Sequence, residues 1–441
     1  MSAPSAALSH RAVLAIAVPI VLSNATVPLV GAVDTAVVGQ LGAAELIGGV
    51  GIGTVVATFL IWLFGFLRSA TAGLTARAGG ARDVDEVRAS LGRSVLIGLA
   101  LGFVLLLGAP LIWLVASGLI AASPEVERHA ETYVLTRLWG APAMMANFAL
   151  LGWFMGRKRT SRVLMLQLFL NGTNIALDLV FVLVWDWGVQ GVAAASAIAE
   201  WLTFVPALAL ATRDLKAIGG AWDRGKLLAL GPVRETLRTN SDLLIRTAFL
   251  ATAFAIVSAE SARIGDLELA ATTILLNFLT IAAYGLDGFA IAAEALAGEA
   301  TGARDKPRFI RAVKLTAVWS AATALIFALL WGMAGPSLIQ VMSVADGVRT
   351  TALTFLPWLI IQPIVAAACF QLDGVFIGMG ATRAMRNWMV VSFALFVAAW
   401  QLAVPLWGAH GLWLAFNLFF AARAVTLMIA WQRATRERFG A

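Results

Sequence analysis

Long apolar stretches recur from one end of the chain to the other, and charged residues gather in the short intervals between them. Each stretch supplies the roughly 20 residues that a helix needs to cross a bilayer. The pattern predicts an all-α integral membrane protein with twelve transmembrane helices, at about 11–40, 44–77, 90–119, 126–155, 161–185, 189–212, 237–262, 268–300, 309–334, 347–378, 384–406 and 410–432. Several exceed the bilayer thickness and are expected to tilt or project beyond it. The intervals are short except for a charged stretch that holds Gly219-Gly220 and Gly231-Pro232, both turn-forming pairs. The expected plan is an N-terminal six-helix lobe over 1–212, a cytoplasmic linker over 213–236 and a C-terminal six-helix lobe over 237–441.

The two halves repeat one another. Gly80-Ala81-Arg82-Asp83 returns as Gly302-Ala303-Arg304-Asp305, and Leu41-Gly42-x-x-Glu45-Leu46 returns as Ile264-Gly265-x-x-Glu268-Leu269. Trp187-Gly188-x-x-Gly191 returns as Trp407-Gly408-x-x-Gly411, and Pro142 is answered by Pro363. The offset stays close to 222 residues, about half of the 441 in the chain. Duplicated bundles in a membrane are a hallmark of transporters that rock one half against the other around a central site.

Composition agrees. Hydrophobic residues make up 60% and charged residues 13%, against about 25% charged in a soluble domain, and the mean hydropathy is +0.86. The net charge of +7 raises the question of nucleic acid, but the basic residues lie in separate short loops rather than on one face. Arg77, Arg82, Arg88 and Arg93 follow span two, and Arg157, Lys158, Arg159 and Arg162 follow span four. Arg213, Lys216, Arg224, Lys226, Arg234 and Arg238 fill the linker; Arg304, Lys306, Arg308, Arg311 and Lys314 follow span eight. Arg383 and Arg386 follow span ten, and Arg433, Arg436 and Arg438 follow span twelve. The alternate loops are poor in Lys and Arg, so the positive-inside rule puts both termini in the cytoplasm. The basic excess is a topology signal and a contact for anionic lipid headgroups. The N-terminus lacks the charge and cleavage pattern of a secretory signal, and the first span is expected to be retained.

Ionisable and amide groups within the spans are costly in hydrocarbon and usually face a bundle interior. Asp34 lies in span one among Val30, Val33, Val37 and Val38, and Pro19 earlier in the same span marks a bend site. An interfacial Asp34 with a passive kink at Pro19 is the plainer alternative. Span five carries Gln167, Asn171, Asn174 and Asp178, whose spacing puts four polar side chains on one stripe. Such a stripe lines a cavity or glues helices together. Span six adds Ser196 and Glu200, one turn apart; span four adds Tyr133, Arg137 and Asn147. The second half contributes Asn277, Tyr284, Asp287, Glu294 and Glu299 from span eight, Gln362, Gln371 and Asp373 from span ten, and Arg246 from span seven. Arg68 and Arg246 could serve simply to neutralise acids within their own halves, since buried charges need partners.

Absences narrow the field. The chain has no phosphate-cradling G-x-x-x-x-G-K-[ST] and no G-x-S-x-G or H-E-x-x-H. His10, His129 and His410 lie near span ends, and Cys369 is the single cysteine, so neither a histidine metal site nor a disulfide framework is expected. Gly39 to Gly53 is glycine-rich, and close helix packing accounts for it better than nucleotide binding does. An enzyme is not expected.

Two six-span halves, Pro19 and Asp34 in span one, and Asn174-x-x-x-Asp178 in span five resemble the multidrug and toxic compound extrusion (MATE) transporters, and among them the DinF-like branch. The resemblance extends to Phe66-Leu67-Arg68-Ser69-Ala70-Thr71-Ala72-Gly73-Leu74-Thr75, to Asp287-Gly288-Phe289-Ala290-Ile291-Ala292-Ala293-Glu294-Ala295-Leu296 and to Leu372-Asp373-Gly374-Val375-Phe376-Ile377-Gly378. It implies two six-helix lobes in a V and secondary antiport that exports small, lipophilic, cationic organic compounds from a monomer in the bacterial inner membrane. It implies a cation-coupling group at Asp34, Asn174, Asp178 and Ser196, with Pro19 as hinge. Tyr133, Asn147, Gln167, Asn171, Glu200, Asn277, Tyr284, Asp287, Glu294 and Asp373 are the expected cavity residues. Ser196 stands where the branch often has Thr, and Glu200 where Gln is commoner. No cofactor is implied beyond a coupling proton; sodium at Asp34, Asn174 and Asp178 is the alternative, since these are hard oxygen ligands. An organic-acid exporter, with Arg68, Arg137 and Arg246 as ligands, and a lipid-linked precursor flippase are further alternatives.

Overall fold

Asp83 and Asp305 start equivalent helices in the two halves. Each carboxylate accepts the main-chain N–H three residues on, Asp83 from Glu86 and Asp305 from Arg308, both at 2.9 Å. This satisfies one of the amide groups that a helix start leaves unbonded. The residue before each cap is left-handed, with φ of 58° at Arg82 and 55° at Arg304. The computed structural model describes residues 8–26, 33, 37–39, 44–118 and 122–440. These form helices without strands: α1 His10–Ala25, α2 Ala44–Phe64, α3 Phe66–Gly80, α4 Val84–Leu107, α5 Ala109–Ser117, α6 Pro124–Arg137, α7 Ala141–Gly156, α8 Thr160–Asp178, α9 Gly188–Ile218, α10 Arg224–Leu228, α11 Leu230–Ile264, α12 Asp266–Gly302, α13 Lys306–Met342, α14 Asp346–Gly378, α15 Thr382–Trp407 and α16 Ala409–Phe439.

Among the described residues, eleven continuous helical stretches are long and apolar enough to cross a membrane, and α1 is a shorter apolar helix of 16 residues. The first of the twelve expected spans, 11–40, is thus described mainly as α1. Asp34 lies outside the described residues. Span four is interrupted by a 3-10 turn, Leu138–Gly140, between α6 and α7. Span five widens after Asp178 into a π-helix, Leu179–Val184.

The chain divides into two compact units. The N unit comprises Leu22–Gly79 and Asp83–Leu237; the C unit comprises Met1–Val21, Gly80–Arg82 and Arg238–Ala441. The first residues of α1 belong to the C unit because Val13, Ile16 and Ala17 pack with Phe289, Ala292 and Leu296. Arg311 Nε also donates to the Leu8 carbonyl at 2.6 Å. The last boundary falls between Leu237 and Arg238.

Inside each unit the duplicated sequence produces duplicated packing. A Cβ at Gly152 would strike the Arg68 carbonyl, and one at Gly156 the Ala72 carbonyl. At the same offset of 222 residues, Gly374 lies against the Ala290 carbonyl and Gly378 against that of Glu294. Small residues let membrane helices approach this closely, so α3/α7 in the N unit and α12/α14 in the C unit are matching seams. Gly98 meets the Met145 carbonyl in the N unit, and the equivalent Ser320 donates to the equivalent Ala367 carbonyl at 3.2 Å.

The stretch expected as a linker is largely helical and bound to the N unit. Arg88 donates to the carbonyls of Leu215 and of Gly219, the latter at 2.7 Å, and Arg93 donates to the Lys226 carbonyl at 2.8 Å. Lys226 Nζ lies 3.0 Å from Asp83 Oδ1, and Arg88 lies under the Trp222 ring. Burial alone pushes the Asp83 carboxyl up, but the Glu86 amide and the Lys226 ammonium outweigh it and hold the group below the usual carboxylate value. Its ionised form therefore stabilises the fold at neutral pH, and that contribution fades as pH falls below about 4, the unfolded value, toward the lower folded one. Asp83→Ala is expected to cost about 1 kcal/mol at pH 7 through loss of the cap. The difference from wild type should shrink in thermal melts taken at acid pH.

Candidate functional site

Helix α8 is apolar except for the stripe anticipated at 167, 171, 174 and 178. Asn174 and Asp178 face inward and Asp178 is fully buried, whereas Gln167 and Asn171 are half-buried. Asn174 Nδ2 donates to Asp178 Oδ2 at 3.1 Å, one turn along its own helix, and to Ser196 Oγ at 3.2 Å across to α9. Asn171 Nδ2 donates to Thr26 Oγ1 at 2.6 Å. The sequence spacing alone identified the α8 members, and Ser196 joins them because the small residues around it, Ala193, Ala195 and Ala197, let α9 come close. The π-helix begins directly after Asp178, and such widened turns recur at functional positions.

One turn beyond Ser196 on α9, Glu200 holds a second polar group. It is 7% exposed. Asn147 Nδ2 donates to both its Oε2 and its main-chain carbonyl at 2.9 Å. Arg137 approaches Glu200 Oε1 at 3.6 Å from the last turn of α6, next to the 3-10 interruption. Tyr133, one turn earlier, accepts from Thr54 Oγ1 at 3.4 Å. The N unit thus brings together Asn174, Asp178 and Ser196 in one cluster, and Asn147, Glu200 and Arg137 in another, joined through the helical step from Ser196 to Glu200. Pro19 is inside α1 and half-buried.

The C unit is wired differently. Asp373, expected to line the cavity, is 6% exposed and accepts from two guanidinium groups, Arg246 Nη2 and, at 2.6 Å, Arg423 Nη2. The neutralising partner anticipated at Arg246 is present. Arg423 was not anticipated; it is 2% exposed and has the rings of Phe370, Phe419 and Phe420 within 5.3–6.0 Å. Its only sequence signal was one cation inside the apolar run Phe419-Phe420-Ala421-Ala422-Arg423-Ala424. Glu294 is buried at the α12/α14 seam, Tyr284 and Asp287 are half-buried, and Asn277 is exposed. Gln371 donates to Thr316 Oγ1 at 3.0 Å, a tie between α14 and α13.

The MatE family model matches residues 19–180 and 243–401, one segment in each half. The DNA damage-inducible protein F of Escherichia coli (strain K12) is 36% identical over 97% of this chain and 93% of its own length. Two solved structures, described as MATE in the straight conformation and MATE in the bent conformation, share the fold with TM-scores of 0.86 each. They are 18% and 19% identical, and the matches cover 96% and 98% of this chain and 96% and 97% of theirs. A model matched along both halves and a relative alike over nearly the full length place this chain in the MatE family, the multidrug and toxic compound extrusion transporters.

Proposed function

We propose that the protein is a proton-coupled exporter of small, lipophilic, cationic organic compounds, working as a monomer in the bacterial cytoplasmic membrane with both termini cytoplasmic. The observation that carries this reading is the hydrogen-bonded group of Asn174, Asp178 and Ser196, with its carboxyl fully withdrawn from water. A carboxylate in hydrocarbon is costly to keep ionised. Its neighbours Asn174 and Ser196 can serve either protonation state, because an amide and a hydroxyl both donate and accept. Asp34, outside the described residues, is in this reading the acid that takes up the outside proton.

In the cycle, proton uptake from the outside removes the negative charge that favoured a cationic cargo. The Asn174 bonds then rearrange, span one bends near Pro19, and cargo leaves outward. Proton release to the inside restores the state that holds cargo. Coupling requires that proton and cargo favour different conformations; equal preference would shift nothing. Two solved structures of this fold are described as MATE in a straight and in a bent conformation, which supports a conformational change in the cycle.

The test is export of a lipophilic cation from proteoliposomes under an imposed pH gradient. Asp34→Asn and Asp178→Asn are each expected to reduce gradient-driven export by at least about a hundredfold, the scale of losing a charge-dependent coupling step of roughly 3 kcal/mol. Binding of the cation in the absence of a gradient should weaken and lose the dependence on pH that the acid confers, because Asn holds the neutral form permanently. Full gradient-driven export by both variants would remove these acids from the mechanism. Export that follows a sodium gradient at constant pH, and ignores the pH gradient, would replace the proton by sodium.

A further inference from the structure

We infer that Glu200 is a second proton-binding carboxyl of the N unit, taking up and releasing its proton in the same cycle as the acids of span one and span five. The inference rests on the proton-coupled reading and adds a site to it. Glu200 is 7% exposed, yet the tie between α7 and α9 does not need its charge. Asn147 Nδ2 donates to the Glu200 main-chain carbonyl as well as to Oε2. Arg137 stands 3.6 Å from Oε1, beyond hydrogen-bond length. A buried ion pair repays its desolvation only through close geometry and further hydrogen bonds. Asp373 in the C unit meets that condition, accepting from Arg423 at 2.6 Å; Glu200 does not. A glutamine at this position would accept the same Asn147 bond and carry no buried charge. What the carboxyl adds is a proton.

Hydrogen bonding around Glu200 is short of a donor. Asn147 Oδ1 is buried without a hydrogen-bond partner, and so is Thr203 Oγ1; each residue is 3% exposed. Oδ1 belongs to the amide that touches Oε2, and Thr203 follows Glu200 by three residues on the same helix face. An ionised carboxylate only accepts, whereas a protonated one has an O–H to donate. Uptake of a proton from water forms that O–H bond and gives one of the two buried oxygens its donor. Release breaks the bond and restores the carboxylate. Among the elements packed against α9, α6 turns Arg137 and, one turn back, Tyr133 toward this region, and α8 carries Asp178. Helix α7 and the π-helix hold no ionisable residue. Arg162 of α8 is paired with Asp214 near the end of α9, and Glu45 of α2 is exposed at its helix start. Ser196, one turn before Glu200, accepts from the same Asn174 that bonds Asp178. Two acids thus share one connected stretch of α8 and α9, and acids that interact titrate as a pair. Each proton taken up removes one negative charge from the N unit.

The test is binding of tetraphenylphosphonium to the purified full chain in lipid nanodiscs, measured across a range of pH. The slope of log affinity against pH counts the protons displaced by each cation bound. Glu200→Gln is expected to displace one proton fewer than wild type, so that affinity changes about tenfold less for each pH unit. Infrared difference spectra between acid and alkaline pH should lose one protonated-carboxyl band in the same variant. A merely structural role moves neither readout, since glutamine keeps the Asn147 bond. Glu437→Gln, which removes an exposed carboxylate paired with Arg433, should match wild type in both. Arg137→Gln removes the cation beside Glu200 and should move the pH midpoint of cation binding upward; it decides the matter if Glu200→Gln does not fold. A slope and carboxyl bands unaltered by Glu200→Gln, or a midpoint unmoved by Arg137→Gln, would overturn this inference and leave the proton-coupled reading standing. Cation binding indifferent to pH in the wild-type chain would overturn both.

Discussion

Gly374→Val is expected to leave almost no folded protein. A Cβ at this position collides with the Ala290 carbonyl, which is main chain in the middle of α12 and has no rotamer to change. Overpacking a core costs about 1–3 kcal/mol where side chains can shift, and more where only two helices moving apart can relieve it. Separation of α12 from α14 would open the seam that also holds Gly378 against Glu294. Against a total stability of roughly 5–15 kcal/mol, such a loss removes most of the safety margin. Gly152→Val should do the same to the N unit by striking the Arg68 carbonyl. Gly172→Val is the control, since nothing lies within 4 Å of a Cβ there. The measurement is the yield and thermal midpoint of monodisperse protein after solubilisation. A Gly374→Val protein melting like wild type would refute the close-seam account.

Asp373→Ala should have the second largest effect, by a different route. It leaves Arg246 and Arg423 facing each other in a buried space with their shared carboxylate gone. Removing one partner of a buried ion pair costs about 3–5 kcal/mol, whereas replacing the whole group by apolar residues is often neutral. Asp373→Ala combined with Arg246→Leu and Arg423→Leu is therefore expected to recover much of the stability that the single change loses. Arg246→Leu alone should cost less than Asp373→Ala, because Arg423 still holds the carboxylate. Denaturant or thermal midpoints of the four proteins give the order directly. A triple variant no more stable than the single would mean that the cluster is worth more than its charges.

These expectations separate what sequence periodicity can report from what it cannot. Asn174 and Asp178 were legible because partners one turn apart on one helix share a face, and spacing alone reveals the stripe. The seam glycines at 152 and 156 stand 222 residues before those at 374 and 378, a recurrence present in the sequence but outside the repeats quoted from it. Arg423 was not. Its partner Asp373 is 50 residues away and Arg246 lies 127 residues from that same carboxylate. No periodicity links three helices that meet only in the folded unit. Asn147 and Glu200, 53 residues apart, escaped as a pair for the same reason. The stretch 213–236 read as a connector by composition, and its docking was hidden because Arg88 and Arg93 bind main-chain carbonyls there, which carry no residue-type signature. The 3-10 and π turns are likewise silent in the sequence, since both run through residues that an ordinary helix accepts.

The glycine contacts at 152, 156, 374 and 378 set main chain against main chain. At Gly152, Gly374 and Gly378 the nearest atoms across the seam are all main chain, with no flexible side chain there to absorb sliding. Each of these pairs must travel as a rigid beam whenever its unit changes shape. In the N unit the helices depart from regular pitch at Gly65 and Gly108 and, beside ionisable side chains, at Leu138–Gly140 next to Arg137 and Leu179–Val184 next to Asp178. At the last two, irregular backbone and ionisable side chains stand side by side, which is where a change in charge would meet the least regular helix.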